Sequence, residues 1–308
     1  MFDMKEKRRI YAPGYYSSFH CIADRCPHSC CVGWEIYIDP STMKKYRECN
    51  ADYAEQILSS IEGDDEPKFR MCEGGRCPHL DGRGLCRIIT NCGEEYLSDI
   101  CREHPRFYNE SSRGVEVGLG MACEEAAGII LSSDDYRNFA VVGEIDGEVL
   151  CSEFDAMAEV ERLLDIIATA PDRPSRLENI HRQYGVTPEC LSDEEWRELL
   201  SGLEYLDREH EGLFLSYSSD VASLGDGDKL LERALAYFVY RHCAGAREKA
   251  DFTASLGLAL FLERLFASIM QRESVHEALT ATRVARIISE ELEYSEENTD
   301  AIRLEFWF

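Results

Sequence analysis

Two stretches decide how this chain is read: residues 21–31, CIADRCPHSCC, and residues 72–101, CEGGRCPHLDGRGLCRIITNCGEEYLSDIC. The first places four sulfurs within eleven residues. The second adds Cys72, Cys77, Cys86, Cys92 and Cys101 in a glycine-rich, turn-rich setting that suits a loop wrapped around a metal. Cys123 follows in GMACEEAAGIIL, at the start of an expected helix, where the helix dipole favours a thiolate. Most of the 14 cysteines therefore fall before residue 124, and Cys151, Cys190 and Cys243 are scattered singly beyond it.

What the sulfurs do depends on redox compartment. The N-terminus, MFDMKEKRRIYAPGYY, is basic with no apolar run behind it, and no stretch reads as the roughly 20 apolar residues that cross a bilayer. The expected location is the cytoplasm, where dense cysteines hold metals or do chemistry rather than form disulfides. A vicinal disulfide at Cys30–Cys31 would be strained, and adjacent side chains project differently, so the two need not serve one ion. Zinc and iron–sulfur clusters both accept four thiolates, and the paired C-x-x-C knuckles of a zinc ribbon are absent. His28, His79 and His104 are alternative ligands by position, with a structural or solvent-facing use as the competing reading.

The chain has 308 residues, 44% of them hydrophobic, enough for one large domain or two ordinary ones. With 33 Lys and Arg against 59 Asp and Glu, its formal charge of −26 repels polyanions, which argues against nucleic acid as a partner. The acids of LSDEEWREL and of VHEALTATRVARIISEELEYSEEN read as solvated helix faces. Beyond residue 134, segments such as FDAMAEVERLLDIIATA, GDKLLERALAYFVYRHCAGAR and SLGLALFLERLFASIMQ carry apolar residues at helical spacing, with breaks at Pro171–Pro174, Gly185–Pro188 and Gly225–Gly227. Two strand-like runs, WEIYI at 34–38 and VEVGL at 115–119, are expected to form a small sheet against the metal module. The fold expected is mainly α: a Cys-rich metal-binding module with minor β over residues 1–134, then a helical bundle over 135–308.

The order Phe19-His-Cys21-x4-Cys26-x3-Cys30-Cys31-x-Gly33-Trp34-x4-Asp39, then Cys77-x2-Leu80-x4-Leu85-Cys86-x-Ile88, Leu97-Ser98-x2-Cys101-x3-Pro105-Arg106 and Cys123-Glu124-x-Ala126 resembles the flagellin lysine N-methylase family. A more distant likeness is to small Cys-rich proteins that bind zinc or iron–sulfur. The motifs span residues 15–130; the helical remainder matches only in general character, as in ALAYFVYRH. The resemblance implies S-adenosylmethionine-dependent methylation of lysine side chains on flagellin or a similar protein, with a 4Fe-4S cluster, or zinc in its place. Carried over position by position, the ligands it implies are Cys21, Cys26, Cys30, Cys31, Cys77, Cys86, Cys101 and Cys123. Cys49, Cys72, Cys92, Cys151, Cys190 and Cys243 fall outside the pattern and read as packed or incidental.

The residues themselves say less about catalysis. GVEVGLG at 114–120 is the one glycine-rich trace of a donor-binding turn, with no second βαβ unit to support it, and Cys26-x3-Cys30 gives only half of the C-x3-C-x2-C spacing of radical chemistry. A lysine methyl transfer needs an aromatic wall and a proton acceptor. Tyr15, Tyr16, Trp34, Asp39, Tyr96 and Tyr108 qualify only by lying near the cysteines, so no base is assigned. Arg102 and Arg106 lie close to Cys101, placed either to pair with a donor carboxylate or to balance thiolate charge, and Arg106, in the family-like Pro-Arg pair, is the one preferred. Two further readings compete: a non-catalytic metal or cluster protein serving as sensor, carrier or assembly partner, and an enzyme using a cluster for redox or radical chemistry.

Overall fold

A computed structural model describes residues 7–147, 152–221, 227–273 and 281–307; Cys151 and part of the Gly225–Gly227 break lie outside them. The chain divides into two compact units, His20–Pro105 and a discontinuous one made of Met1–Phe19 with Arg106–Phe308. Residues 106–134 thus pack with the helices, unlike the expected division at 134, because they carry two strands and a helix whose apolar side chains belong to the helical core.

The His20–Pro105 unit is built from short pieces. Helices Pro40–Glu48, Ala54–Ser59, Arg87–Cys92 and Asp99–Glu103 surround a core of Ile36, Ile38, Tyr46, Tyr53, Ile57, Phe69, Leu80 and Ile88, which also holds Cys77. Pro40 begins the first helix and Asp39 caps it, accepting from the Thr42 amide at 2.9 Å. The run at 34–38 is extended but is not a strand. It makes one isolated bridge, Tyr37 to Lys68, and the hydrogen bonds Phe69 N to Ile36 O (3.0 Å) and Ile38 N to Pro67 O (2.7 Å). The expected sheet joining it to VEVGL does not form, and the latter run pairs elsewhere.

In the larger unit, strands Arg106–Ser111, Gly114–Leu119, Lys7–Pro13 and Phe139–Asp146 lie side by side in that order. Only the Lys7–Pro13 and Gly114–Leu119 pair is parallel, with Ile10 opposite Val115. Gly114–Leu119 is buried throughout and backs onto helix Asp228–Cys243, where Tyr240 donates to the Val117 carbonyl at 3.1 Å. Helix Arg173–Tyr184 opens on Asp172 and stops at Gly185, whose left-handed φ of 73° suits glycine. Ser192 and Glu195 form a capping box on helix Asp193–Ser201.

Helix Lys249–Glu273 is buried on all sides through its middle. It corrects the expectation that no stretch is apolar enough to span a bilayer: by length and composition this helix passes, and it is almost wholly enclosed by protein. Acids expected on a solvated face are also displaced inward. Residues Ser289–Glu293 adopt a π-helical turn, closed by Tyr294 N to Ser289 O at 3.2 Å, and Glu290, Glu291 and Glu293 are all buried.

Gly257 lies on the central helix beneath the Phe306 ring, and a Cβ there would fall 2.1 Å from the ring. Gly257→Ala would gain about 1 kcal/mol of helix propensity but overpack the core by about 1–3 kcal/mol. We expect a net loss of stability, read as a lower melting temperature by circular dichroism.

Candidate functional site

The loops of the His20–Pro105 unit bring four of the eight predicted ligands together. The Cys77 amide donates to the Cys31 carbonyl at 2.8 Å, and Gly33 N donates to Gly75 O at 2.9 Å, so CEGGR lies against the first cysteine loop. Gly74 and Gly75 take left-handed φ values of 72° and 67° to make that turn. A second turn joins Cys77 to Cys86: Asp81 Oδ1 accepts from the amides of Arg83 (2.8 Å) and Leu85 (2.9 Å), and Arg87 N donates to His79 O at 2.7 Å. Cys86 then caps helix Arg87–Cys92, and Cys101 lies within helix Asp99–Glu103.

Cys31, Cys77, Cys86 and Cys101 lie within electrostatic reach of one another. Burial pushes the Cys77 thiol up to about 12 and Cys101 to about 11, and raises Cys86 against the opposing pull of the Ile89 and Ile88 amides. Cys31 goes the other way, to about 7, chiefly because the Cys30 side chain donates to it; Ser29 and Arg76 add to the effect. The fully buried Tyr46 hydroxyl feels Cys101, Cys86 and Cys77 and has no hydrogen-bond partner. Among the described residues, no three His, Cys, Asp or Glu side chains converge tightly enough to hold an ion as they stand.

The other predicted residues are placed differently. Cys21 and Cys30 are exposed, and Cys26 Sγ donates to the His28 carbonyl at 2.7 Å. Cys123 caps helix Glu124–Ser132 in the other unit. None of the thirteen described cysteines is in a disulfide, Cys30 and Cys31 included. Cys49 and Cys92, read as packed, are hydrogen-bonded to each other, with Tyr96 bonded to Cys49. Cys243 is fully buried in the helical core. His79 is structural: Tyr53 and Ser60 engage its two ring nitrogens at 3.0 and 2.9 Å, and burial lowers it to about 4. Asp39, a candidate acceptor by proximity, binds the Asp99 amide at 3.0 Å as well as that of Thr42. Although partial burial works against it, these donors and Ser41 hold its carboxyl well below the usual range. Arg106 Nε donates to Tyr16 Oη at 2.9 Å, and its guanidinium lies over the Tyr16 and Phe19 rings, while Arg102 pairs at the surface with Asp99 and Glu103.

Over 133 residues the chain is 30% identical to the flagellar biosynthetic protein FliU of Salmonella muenchen, of which it covers 79%. The chain belongs to the flagellin lysine N-methylase family. It is also 30% identical, over 134 residues and 41% of its length, to the lysine-N-methylases of Salmonella typhimurium and Salmonella choleraesuis. It spans about a third of the length of those two relatives, 33% of each. No family model and no solved structure matches.

This flagellin lysine N-methylase family member holds a second polar site, in the larger unit, that the sequence did not announce. A cleft of about 390 Å³ has Phe107, Arg241, His242, Glu293, Glu296, Asp300 and Arg303 in its lining. His242 Nε2 meets Glu293 Oε1 at 2.8 Å, Tyr237 Oη donates to Glu293 Oε2 at 2.9 Å, and Arg241 Nε lies 3.2 Å from Glu293 Oε1. Burial would raise Glu293, but Arg241 and then His242 hold it at about 2. The faint signal was the YRH of ALAYFVYRH; its partner lies 51 residues away within a segment that reads as solvated.

Two outcomes follow for the thiol site. Asp39→Ala removes a helix cap and the anchor of the Cys101 loop, and we expect a loss of about 1–2 kcal/mol in chemical denaturation, largely restored by Asp39→Asn. In metal-free protein, site-resolved alkylation of Cys31 should rise with a midpoint near 7, and in Cys30→Ala that midpoint should move up toward an ordinary thiol.

Proposed function

We propose that the chain is an S-adenosylmethionine-dependent protein lysine N-methyltransferase acting on flagellin or a similar protein, with a 4Fe-4S cluster, or zinc, held by its cysteines. The observation that carries this reading is the convergence of Cys31, Cys77, Cys86 and Cys101, four of the family-pattern positions, in a chain that belongs to the family.

The donor set fits such a group. Three thiols are kept protonated by burial, a penalty that a bound cation reverses by stabilising the thiolates. Tyr46 brings a buried hydroxyl with no other partner, ready to donate to a thiolate sulfur. The residues that would hold the group are these four, with Cys21, Cys26 and Cys30 on the adjoining loop as reserves; Cys123, the eighth position of the family pattern, belongs to the other unit. Bound there, a cluster would supply an electron-transfer centre and zinc a structural one.

The donor is not expected on a nucleotide-binding turn. Gly114–Leu119 is a fully buried strand, and the face of Gly118 is covered by the Phe107 ring. Arg106 remains the proposed contact for the donor carboxylate, which would have to replace its Tyr16 bond. The partner proposed is a protein bearing lysines, met in a reducing cytoplasm; nucleic acid and membrane are not part of the reading.

The alternative is a cluster or zinc protein without catalysis, favoured by the gathering of the thiols in a chain whose glycine-bearing strand Gly114–Leu119 is buried and covered by Phe107 rather than open to a donor. Incubation of anaerobically purified protein with methyl-labelled S-adenosylmethionine and a flagellin separates the two. Label on flagellin lysines, reduced at least tenfold in Cys86→Ser and Cys101→Ser, is the outcome we expect. No labelled lysine with metal-replete wild type would leave the binding protein.

A further inference from the structure

The cleft at His242 has a composition that selects a particular ligand. Both guanidiniums in its wall are already engaged, Arg241 by Glu293 and Arg303 by Asp300 at 2.9 Å and Asp251 at 3.2 Å. Glu296, exposed at the mouth in the first turn of helix Glu296–Leu304, tips the balance of the wall toward negative. Phe107 supplies an apolar surface, and its ring is fixed by Arg241, whose guanidinium lies 4.9 Å from it and 4.9 Å from Tyr294 on its other flank. Arg241 Nη1 is enclosed and has no acceptor, so that guanidinium is committed to the wall. An apolar stem ending in an ammonium meets the apolar ring and the negative balance of the cleft.

We propose that this cleft is the lysine site: the side chain lies along Phe107 with its ammonium between Glu296 and His242, and His242, oriented by Glu293, is the general base. The proposal rests on the lysine methylase reading and adds to it the residues that receive and deprotonate the amine. With Nε2–H donated to Glu293, Nδ1 keeps the lone pair. One N–H bond of the ammonium breaks, its electron pair stays on the lysine nitrogen, and the proton moves to His242 Nδ1, giving an imidazolium beside the Glu293 carboxylate. The freed amine then forms an N–C bond to the sulfonium methyl as the S–C bond breaks, its electron pair staying on sulfur as a neutral thioether that leaves, and His242 returns its proton to solvent.

The charges facing His242 are Glu293, Arg241, Glu296, Asp300 and Arg303. Burial lowers the imidazole below its ordinary value, Glu293 opposes this, and Arg241 and Arg303 reinforce it. At neutral pH the ring is therefore unprotonated and able to accept. The Tyr237 hydroxyl, which receives the Met121 amide at 3.2 Å, fixes the far oxygen of Glu293 and so the direction of the ring.

Two readouts test this on the full chain. The first is calorimetric binding of Nα-acetyl-lysine methylamide, followed also by the His242 ring resonances in NMR spectra. Wild type should bind with a shift of those resonances, Glu296→Gln should bind at least tenfold more weakly, and His242→Gln, which keeps a donor to Glu293, should bind within a few-fold of wild type. The second is methyl transfer against pH. His242→Gln should lose on the order of 100-fold in rate, together with the fall in rate toward acid pH expected of wild type as its lowered imidazole takes up a proton, at an unchanged melting temperature. Wild-type rates and an intact acid limb in His242→Gln, or binding of the amide with no change at His242, would overturn the assignment. If no lysine protein is methylated by wild type, the enzyme reading fails, while the amide titration still decides whether the cleft takes an amine.

Discussion

Burial of the Cys77, Cys86 and Cys101 sulfhydryls within reach of the Tyr46 hydroxyl is the constraint on which the His20–Pro105 unit depends. Its core has few large apolar side chains, its helices are short, and its only ladder pairs Ile61–Glu62 with Lys68–Phe69. A unit of that kind has little apolar area to set against chain entropy and commonly relies on a metal or on disulfides. None of its cysteines is in a disulfide. Hydrogen bonds at Asp39, Asp81 and the Cys31 carbonyl instead fix where the loops carry their thiols, leaving Cys77, Cys86 and Cys101 more costly to ionise than in water. Two turns and a capped helix thus set the chemistry of four sulfurs far apart in sequence.

The larger unit shows the same logic with oxygen in place of sulfur. Its π-helical turn adds one residue to the helical circuit and so carries Glu290, Glu291 and Glu293 into the interior together. Each then needs a cation or a set of donors. Arg286 meets Glu290, the Leu206 and Asp207 amides with His210 meet Glu291, and Arg241 with His242 meets Glu293. The third of these arrangements opens on the cleft.

Much of this was legible in the sequence, and what was not has a physical cause. The cysteine spacing marked the family, and turn residues such as Gly74, Gly75 and Asp81 sit where the loops between those cysteines bend. Helices after residue 134 followed from apolar periodicity, and Asp172, Ser192 and Gly185 marked their ends. The strand Lys7–Pro13 is joined to Gly114–Leu119 across a whole intervening unit, a pairing that no local pattern encodes. WEIYI alternates like a strand but meets only a short partner segment, so its backbone bonds go to Pro67 and Phe69 singly. The Glu293–His242 pair was hidden because an α-helical period places those acids outside, and one extra residue in the turn reverses that.

We propose that Cys31, Cys77, Cys86 and Cys101 hold one metal or cluster. The most direct measurement is iron, sulfide and zinc content with the visible spectrum of anaerobically purified protein, compared among wild type, Cys31→Ser, Cys77→Ser and Cys190→Ser. We expect a stoichiometric metal or cluster in wild type and Cys190→Ser that is lost in Cys31→Ser and in Cys77→Ser. Metal-free wild type that folds with its four thiols intact, or full metal content in both of those variants, would contradict it.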